Sequence, residues 1–391
     1  MGKNEMFSEK LQQIQAAGLY RRMRYMQSQQ SAHVMIAGED YLMMSSNSYL
    51  GLCSDERLKQ AAQEAIEKFG TGSGGSRLTT GSYELHKQLE EEIAAFKGTE
   101  AALIFNTGYM ANLGIISTIA DKNWVIFSDR LNHASIIDGC RLSGAEIVVY
   151  EHGDMEDLEQ KVEKYRGKRG LLVSDGLFSV DGDIAPVPGL VDIARRYDML
   201  LMVDDAHATG VFGKNGGGTA DHFDLPEGVD IMVGTFSKAL ASEGGFVAGS
   251  RDLVDYLVNR ARSFIFSTAL SPASIAVSLA ALKIVQTEPQ ARETLLTNAR
   301  WLRQELCQAG FQTWNYPTQI ISVFVGRPEV AVAFSERLME RRIFVSAIRP
   351  PTVPEGTSRL RINVMATHTK EDLTRAIITI KDVGSELGVI A

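Results

Sequence analysis

Cysteine is scarce: the chain has three in 391 residues, Cys53, Cys140 and Cys307, with no CxxC pair. An odd, widely spaced set offers neither a disulfide framework nor the clustered thiolates of a structural zinc site, and it suits a reducing cytoplasm. No metal site is expected. Long apolar runs are missing as well, and none approaches the ~18 residues that a membrane helix needs. The opening MGKNEMFSEK is charged and has no apolar signal-peptide core. Gly2 does not complete a myristoylation pattern, because Met6 stands where that pattern wants Ser or Thr. Basic charge is not in excess either. Forty Lys and Arg against 48 Asp and Glu give a formal charge of -8, which argues against nucleic acid as the main ligand. There is no Walker A, HExxH or GxSxG sequence, so nucleotide hydrolysis, zincin chemistry and the serine-hydrolase elbow have no support.

What is present is an ordinary globular composition, 45% hydrophobic and 23% charged, in a chain long enough for about two or three domains. From about residue 100, short runs rich in β-branched residues alternate with longer amphipathic stretches, the pattern of βαβ units. Strands are expected over Ala101 to Phe105, Trp124 to Ser128, Ile147 to Tyr150, Leu171 to Ser174, Leu200 to Asp204, Ile231 to Thr235 and Phe246 to Ala248. Several are apolar on both faces, which predicts a mainly parallel seven-stranded sheet covered by helices. Helices are expected over Asp55 to Phe69 and Tyr83 to Phe96, on either side of the Gly-rich segment Gly70 to Gly81. After Pro272 to Val285 and Gln290 to Ala309, the last hundred residues read as a smaller α+β unit with strands at Ile320 to Val325, Phe344 to Ala347 and Leu360 to Val364. The expected division is an N-terminal segment, 1–47, packing on the small domain; a large α/β domain, 48–285; and a small domain, 286–391.

GTGSGG at Gly70 to Gly75 matches GxGxxG in letters only. That fingerprint needs a strand before it, and here a helix precedes it. The stronger signal is VDDAHATG, Val203 to Gly210, at the end of the run Met199 to Val203. Ligands of open α/β sheets bind at the carboxyl ends of strands, so Asp204 and His207 stand where chemistry is expected. Alone, each reads equally well as a turn or cap residue. Lys238 in GTFSKALASEGG changes the balance, since it leaves the next strand among Gly, Ser and Thr. Lysines on such loops form Schiff bases with an aldehyde cofactor, and neighbouring hydroxyls can hold a phosphate. Pyridoxal 5'-phosphate needs this set: an amine, a carboxylate for its ring nitrogen and donors for its phosphate.

The order of Asn47, Gly108-Tyr109, His133, Ser179, Asp204, His207 and Lys238 resembles the α-oxoamine synthases among the fold-type I pyridoxal-phosphate enzymes. The stretches that carry the resemblance are SSNSYLGL, GTGSGGSRLTTG, NHASIIDG, FSVDGD, VDDAHATGVFG, GTFSKA and AIRPPTVPEGTSRLRINV, and they span essentially the whole chain. The resemblance implies a decarboxylating condensation of an acyl thioester with an amino acid on a homodimer. It makes Lys238 the cofactor lysine and general base, puts Asp204 on the ring nitrogen and His207 with Ser179 on the phenolic oxygen, and stacks His133 on the ring. Gly108, Tyr109, Thr235 and Ser237 would hold the phosphate, joined from the partner subunit by Ser267 or Thr268. Arg361, with Arg359 as rival, would hold the amino acid's carboxylate, and Asn47 would meet the substrate. Arg21 and Thr352 would meet the acyl group, although a solvated helix face explains Arg21, Arg22 and Arg24 equally well. AIRPPTVPEG and GGSRLTTG favour the biotin-pathway branch, which joins pimeloyl-CoA or a pimeloyl-carrier protein to L-alanine. The alternatives are the branch using acetyl-CoA and glycine, and a catalytically silent partner subunit, which would have lost Lys238.

Overall fold

The protein is described by a computed structural model covering residues 5–16, 19–21 and 23–391. The seven expected runs form one sheet in the order Ala101–Phe105, Gly245–Gly249, Ile231–Thr235, Leu200–Asp204, Arg169–Asp175, Trp124–Asp129, Glu146–Tyr150. Gly245–Gly249 runs antiparallel to both of its neighbours, and all other pairs are parallel. Burial on both faces explains the unbroken apolar runs. Leu103, Phe105, Ile126, Val173, Met202 and Val233 enter one helix-covered layer. Their chain neighbours Ala102, Ile104, Val125, Leu172, Val203 and Met232 enter the other. Only the edge strand Glu146–Tyr150 alternates toward solvent, with Ile147 and Val149 exposed.

Helix ends follow local chemistry. Asp55 caps Glu56–Phe69 rather than joining it, its carboxylate accepting from the Arg57 amide, and Thr107 caps Gly108–Ile119 through the Met110 amide. Helices Pro272–Thr287 and Gln290–Gln308 lead into an antiparallel sheet in which Ser358–Asn363 lies between Ile320–Gly326 and Ser346–Ile348.

The strand expected over Phe344 to Ala347 is in fact two. Ile343–Phe344 pairs in parallel with Glu39–Met43, whereas Ser346–Ile348 pairs with Ser358–Asn363. Val345 is buried at the corner between them, and the Ser346 amide donates to Ser45 Oγ at 2.8 Å. One apolar run thus serves two sheets. The N-terminal hairpin His33–Ile36 and Glu39–Met43 turns on Ala37 and Gly38, both at positive φ.

Candidate active site

The carboxyl ends of the parallel strands converge on a cavity of about 170 Å³. Gly108, Tyr109, His133, Ser179, Asp204, His207, Thr235, Ser237 and Lys238 all line it, so nine of the expected residues meet in one place. Asn112, Ser135, Asp175 and Ala206 line it too and were not foreseen.

Asp204 ends its strand buried. Its Oδ2 accepts from Asn112 Nδ2 at 2.7 Å and its Oδ1 from the Ala206 amide at 2.9 Å. Asn112 also donates to Ser135 Oγ at 2.9 Å. His133 is fixed by its amide, which donates to Asp175 Oδ2 at 2.7 Å, and by its Nδ1, 2.7 Å from Ser135 Oγ. The Tyr49 hydroxyl lies 2.6 Å from His207 Nδ1, while the His207 carbonyl accepts from Gln319 Nε2 at 2.9 Å. On the lysine loop, Thr235 Oγ1 donates to the Gly244 carbonyl at 2.7 Å and lies 2.6 Å from Ser237 Oγ.

The strand Ser358–Asn363 gives the two arginines different partners. Arg359 is buried in an ion pair with Asp181. Among the described residues Arg361 donates to neutral acceptors only, Nε to the Ser179 carbonyl at 2.5 Å and both terminal nitrogens to Asn47 Oδ1 at 3.2 and 3.3 Å. No carboxylate among the described residues pairs with its charge. Neither Asn47 nor Arg361 lines the cavity: Arg361 is joined to it through the Ser179 carbonyl, and Asn47 through Arg361. Arg21 lines a separate cavity of about 470 Å³ with Leu11, Tyr20, Arg349 and Pro351. Thr352 stands exposed beside it, its amide donating to the Arg349 carbonyl at 3.1 Å. Thr268 and Ser267 do not line the Lys238 cavity; Thr268 is exposed on the segment bridged to Ser76.

Charge inside the cavity is finely balanced. Burial pushes the Lys238 pKa below that of an ordinary lysine and Arg361 adds to this, against the opposing pull of Asp204 and Asp175. Burial, followed by the charges of Lys238, Arg361 and His133, pushes His207 well below its usual value, so its imidazole is neutral. Burial also lowers His133. Burial and the adjacent Asp204 carry Asp175 well above the carboxylate range. An amine whose pKa is lowered in this way gives up its proton more readily than an ordinary lysine, and once deprotonated it is both a nucleophile and a base.

Residues 39–380 match the family described as aminotransferase class I and II. The chain belongs to that family. Among relatives of this aminotransferase-family chain, the 8-amino-7-oxononanoate synthase of Lysinibacillus sphaericus is 52% identical, over 99% of this chain and 100% of the relative. That of Geobacter sulfurreducens is 50% identical over 97% and 98%. Among solved structures, a serine palmitoyltransferase from S. paucimobilis with bound PLP and myriocin superposes with a TM-score of 0.94 at 33% identity, covering 99% of each chain. An 8-amino-7-oxononanoate synthase from Francisella tularensis superposes at 0.78 with 30% identity, covering 90% and 99%. The fold is accordingly that of the fold-type I transferases, and the α-oxoamine resemblance holds.

The residues present fit pyridoxal phosphate. The amides of Gly108 and Tyr109 open a helix and have no acceptor among the described residues, which makes an anion site beside the Thr235 and Ser237 hydroxyls. A Cβ on Gly245 would stand 2.6 Å from the Gly108 backbone, so that cradle closes only over glycine. A buried carboxylate held by two donors lies across the cavity, and Asn112 Oδ1 is left without a partner.

Proposed function

We propose that this protein condenses a pimeloyl thioester with L-alanine, releasing carbon dioxide to give 8-amino-7-oxononanoate for biotin biosynthesis. The observation that carries the reading is the guanidinium of Arg361, bonded to neutral acceptors and joined through the Ser179 carbonyl to the cavity that holds Lys238, in a chain half identical over its full length to proteins of that name. Pyridoxal phosphate bound there supplies the electron sink that makes a carbanion at the amino acid's Cα accessible. Lys238 would hold it covalently, Asp204 its ring nitrogen, His207 and Ser179 its phenolic oxygen and His133 its ring face. Gly108, Tyr109, Thr235 and Ser237 would hold its phosphate.

The chain's own groups divide the remaining work. Arg361 binds the carboxylate of the amino acid and fixes its orientation. The Lys238 amine, its pKa lowered by burial, takes the Cα proton and returns one at the end of the cycle. Between those steps the nucleophilic carbon attacks the thioester carbonyl, thiolate departs and the β-keto acid loses its carboxylate. Arg21 and Thr352, near the second cavity, are assigned to the acyl group, which is carried by coenzyme A or a carrier protein. The working unit is a cytoplasmic homodimer with Thr268 reaching the partner's phosphate, and it divides into a cofactor domain, 48–285, and a smaller one, 286–391. No described helix is long and apolar enough to cross a membrane.

The test is thioester consumption by the cofactor-loaded protein. Preference for pimeloyl-CoA with L-alanine, and carbon dioxide release, supports the reading. Preference for acetyl-CoA with glycine would overturn it.

A further inference from the structure

Outside the catalytic cavity, one histidine joins two buried carboxylates. His152 follows the edge strand Glu146–Tyr150; its Nδ1 lies 3.0 Å from Asp129 Oδ1 and its Nε2 2.8 Å from Asp183 Oδ2. The side chain is 27% exposed, whereas those of Asp129 and Asp183 are only 1% and 8% exposed. Its ring stands edge-on to Phe178, with centroids 4.5 Å apart. Among the described residues no lysine or arginine pairs with either carboxylate, so the imidazolium alone balances them.

Each of the two aspartates stands in a loop that carries site residues. Asp129 ends its strand and accepts from the Leu131 amide at 2.8 Å and the Gly153 amide at 3.0 Å, which sets the turn that delivers His133. Asp183 closes the loop of Ser179, where the Phe178 amide donates to its carbonyl at 2.9 Å. That loop is also the seat of the C-terminal sheet. The Ser179 carbonyl accepts from Arg361, the Val180 carbonyl from Ser322 Oγ at 2.8 Å and the Gly182 carbonyl from Thr318 Oγ1 at 2.6 Å.

We propose that His152 is a positioning residue: donating from both ring nitrogens, it locks the loop of His133 to the loop of Ser179 and so sets the distance between the His133 and Arg361 sides of the amino-acid site. The proposal rests on the amino-acid chemistry assigned above, but not on the identity of the thioester. Burial opposes the proton on His152, yet the bonds to Asp129 and Asp183 hold its pKa at about 10. Other titratable groups around the latch are Asp181, paired with Arg359, and Tyr316 beyond Asp183; Tyr150 and Asp175 beyond Asp129; and the exposed Arg130–Glu151 pair next in sequence to Asp129 and His152. Below pH 10 the latch is closed in the natural protein.

The experiment follows L-alanine binding to the holoenzyme by the cofactor's visible absorbance, from pH 6.5 to 9.5, and needs no turnover. His152→Gln should load with cofactor and bind L-alanine roughly 10- to 100-fold more weakly at every pH, the cost of a small misplacement remote from the chemistry. Asp183→Ala, which leaves the second ring nitrogen nothing to donate to, should bind L-alanine about as weakly as His152→Gln across the pH range. The double variant His152→Gln with Asp183→Asn should recover most of the affinity, because the introduced glutamine can donate to Asp129 and the introduced asparagine can donate back to the glutamine's amide oxygen. His152→Gln or Asp183→Ala binding within about twofold of the natural protein, or a double variant no better than His152→Gln, would overturn the proposal. Where His152→Gln does not fold, Asp183→Ala decides. Natural protein that binds L-alanine but does not consume pimeloyl-CoA would refute the thioester assignment and leave the latch standing.

Discussion

At the scale of single residues, the cavity sets an amine whose pKa is lowered by burial, Lys238, beside a carboxylate held by two donors, Asp204. Replacing Lys238 with alanine removes the proton-transfer group and is expected to cut turnover by roughly 10²- to 10⁴-fold or more, the usual worth of a positioned general base. Cofactor binding should persist, because the phosphate cradle and Asp204 are untouched. Turnover within tenfold of the natural protein would refute the assignment. Tyr49→Phe tests the orientation of His207. It removes the hydroxyl 2.6 Å from Nδ1 in a fully buried setting, at a cost of about 1–3 kcal/mol for the unpaired group. Cofactor affinity should fall accordingly, measured by equilibrium titration; unchanged affinity would mean that packing alone fixes the ring. Lys238, Asp204 and His207 were legible in the sequence because each follows an apolar strand. Asp175 obeys the same rule, at the end of Arg169–Asp175, and could have been found by it. Asn112 and Tyr49 could not. One sits inside a helix and the other in an irregular loop, and only the fold brings them within hydrogen-bond reach of Asp204 and His207.

At the scale of elements, the phosphate cradle depends on how closely the antiparallel strand Gly245–Gly249 meets the start of helix Gly108–Ile119. Ala at 108 would place its Cβ 3.5 Å from the Thr235 side chain, ordinary contact, whereas Ala at 245 would stand 2.6 Å from the Gly108 amide and Cα. Gly108→Ala is therefore expected to fold and bind pyridoxal phosphate nearly normally. Gly245→Ala should push strand and helix apart and lose cofactor affinity by tenfold or more, about 1.4 kcal/mol or above. Equal affinities in the two variants would show that the contact relaxes without consequence. Most of the helices and the seven strands of the large sheet were legible, the helices because each packs one face and the strands because both faces of all but the edge strand Glu146–Tyr150 are buried, with most ends displaced by no more than two residues. Periodicity failed at Phe344 to Ala347, where a single apolar run divides between two sheets around buried Val345. It was also silent on the N-terminal hairpin, whose Ala37-Gly38 turn lacks the Asn-Gly signature of tight hairpins.

At the scale of the whole molecule, buried histidines pull stability in opposite directions with pH. His368 joins three parts of the chain. Its Nδ1 accepts from the Met365 amide at 3.0 Å, its Nε2 donates to the Met43 carbonyl at 3.1 Å, and its own carbonyl accepts from Asn298 Nδ2 at 3.1 Å. Burial pushes its pKa down to about 4, with the Met43 bond and Asp372 opposing. His86, buried at the start of helix Glu84–Lys97, is likewise lowered to about 4. Because the folded values lie below the unfolded value near 6.5, the unfolded chain binds these protons first. The stability contributed by the neutral rings is thus complete above pH 6.5 and is lost as pH falls toward 4, by up to about 3 kcal/mol for each. His152 acts in the opposite sense: with a folded value of about 10, its contribution is complete below pH 6.5 and is lost as pH rises through 10. Stability should therefore peak between these limits. His368→Gln checks the acid side, since an amide can accept from Met365 and donate to Met43 without titrating. Denaturant unfolding should show the stability falling from pH 6.5 to pH 5 in the natural protein and falling less steeply in His368→Gln, by about one proton or 1.4 kcal/mol per pH unit. Parallel curves for the two proteins would place the acid sensitivity elsewhere, with His86 as the next group to replace.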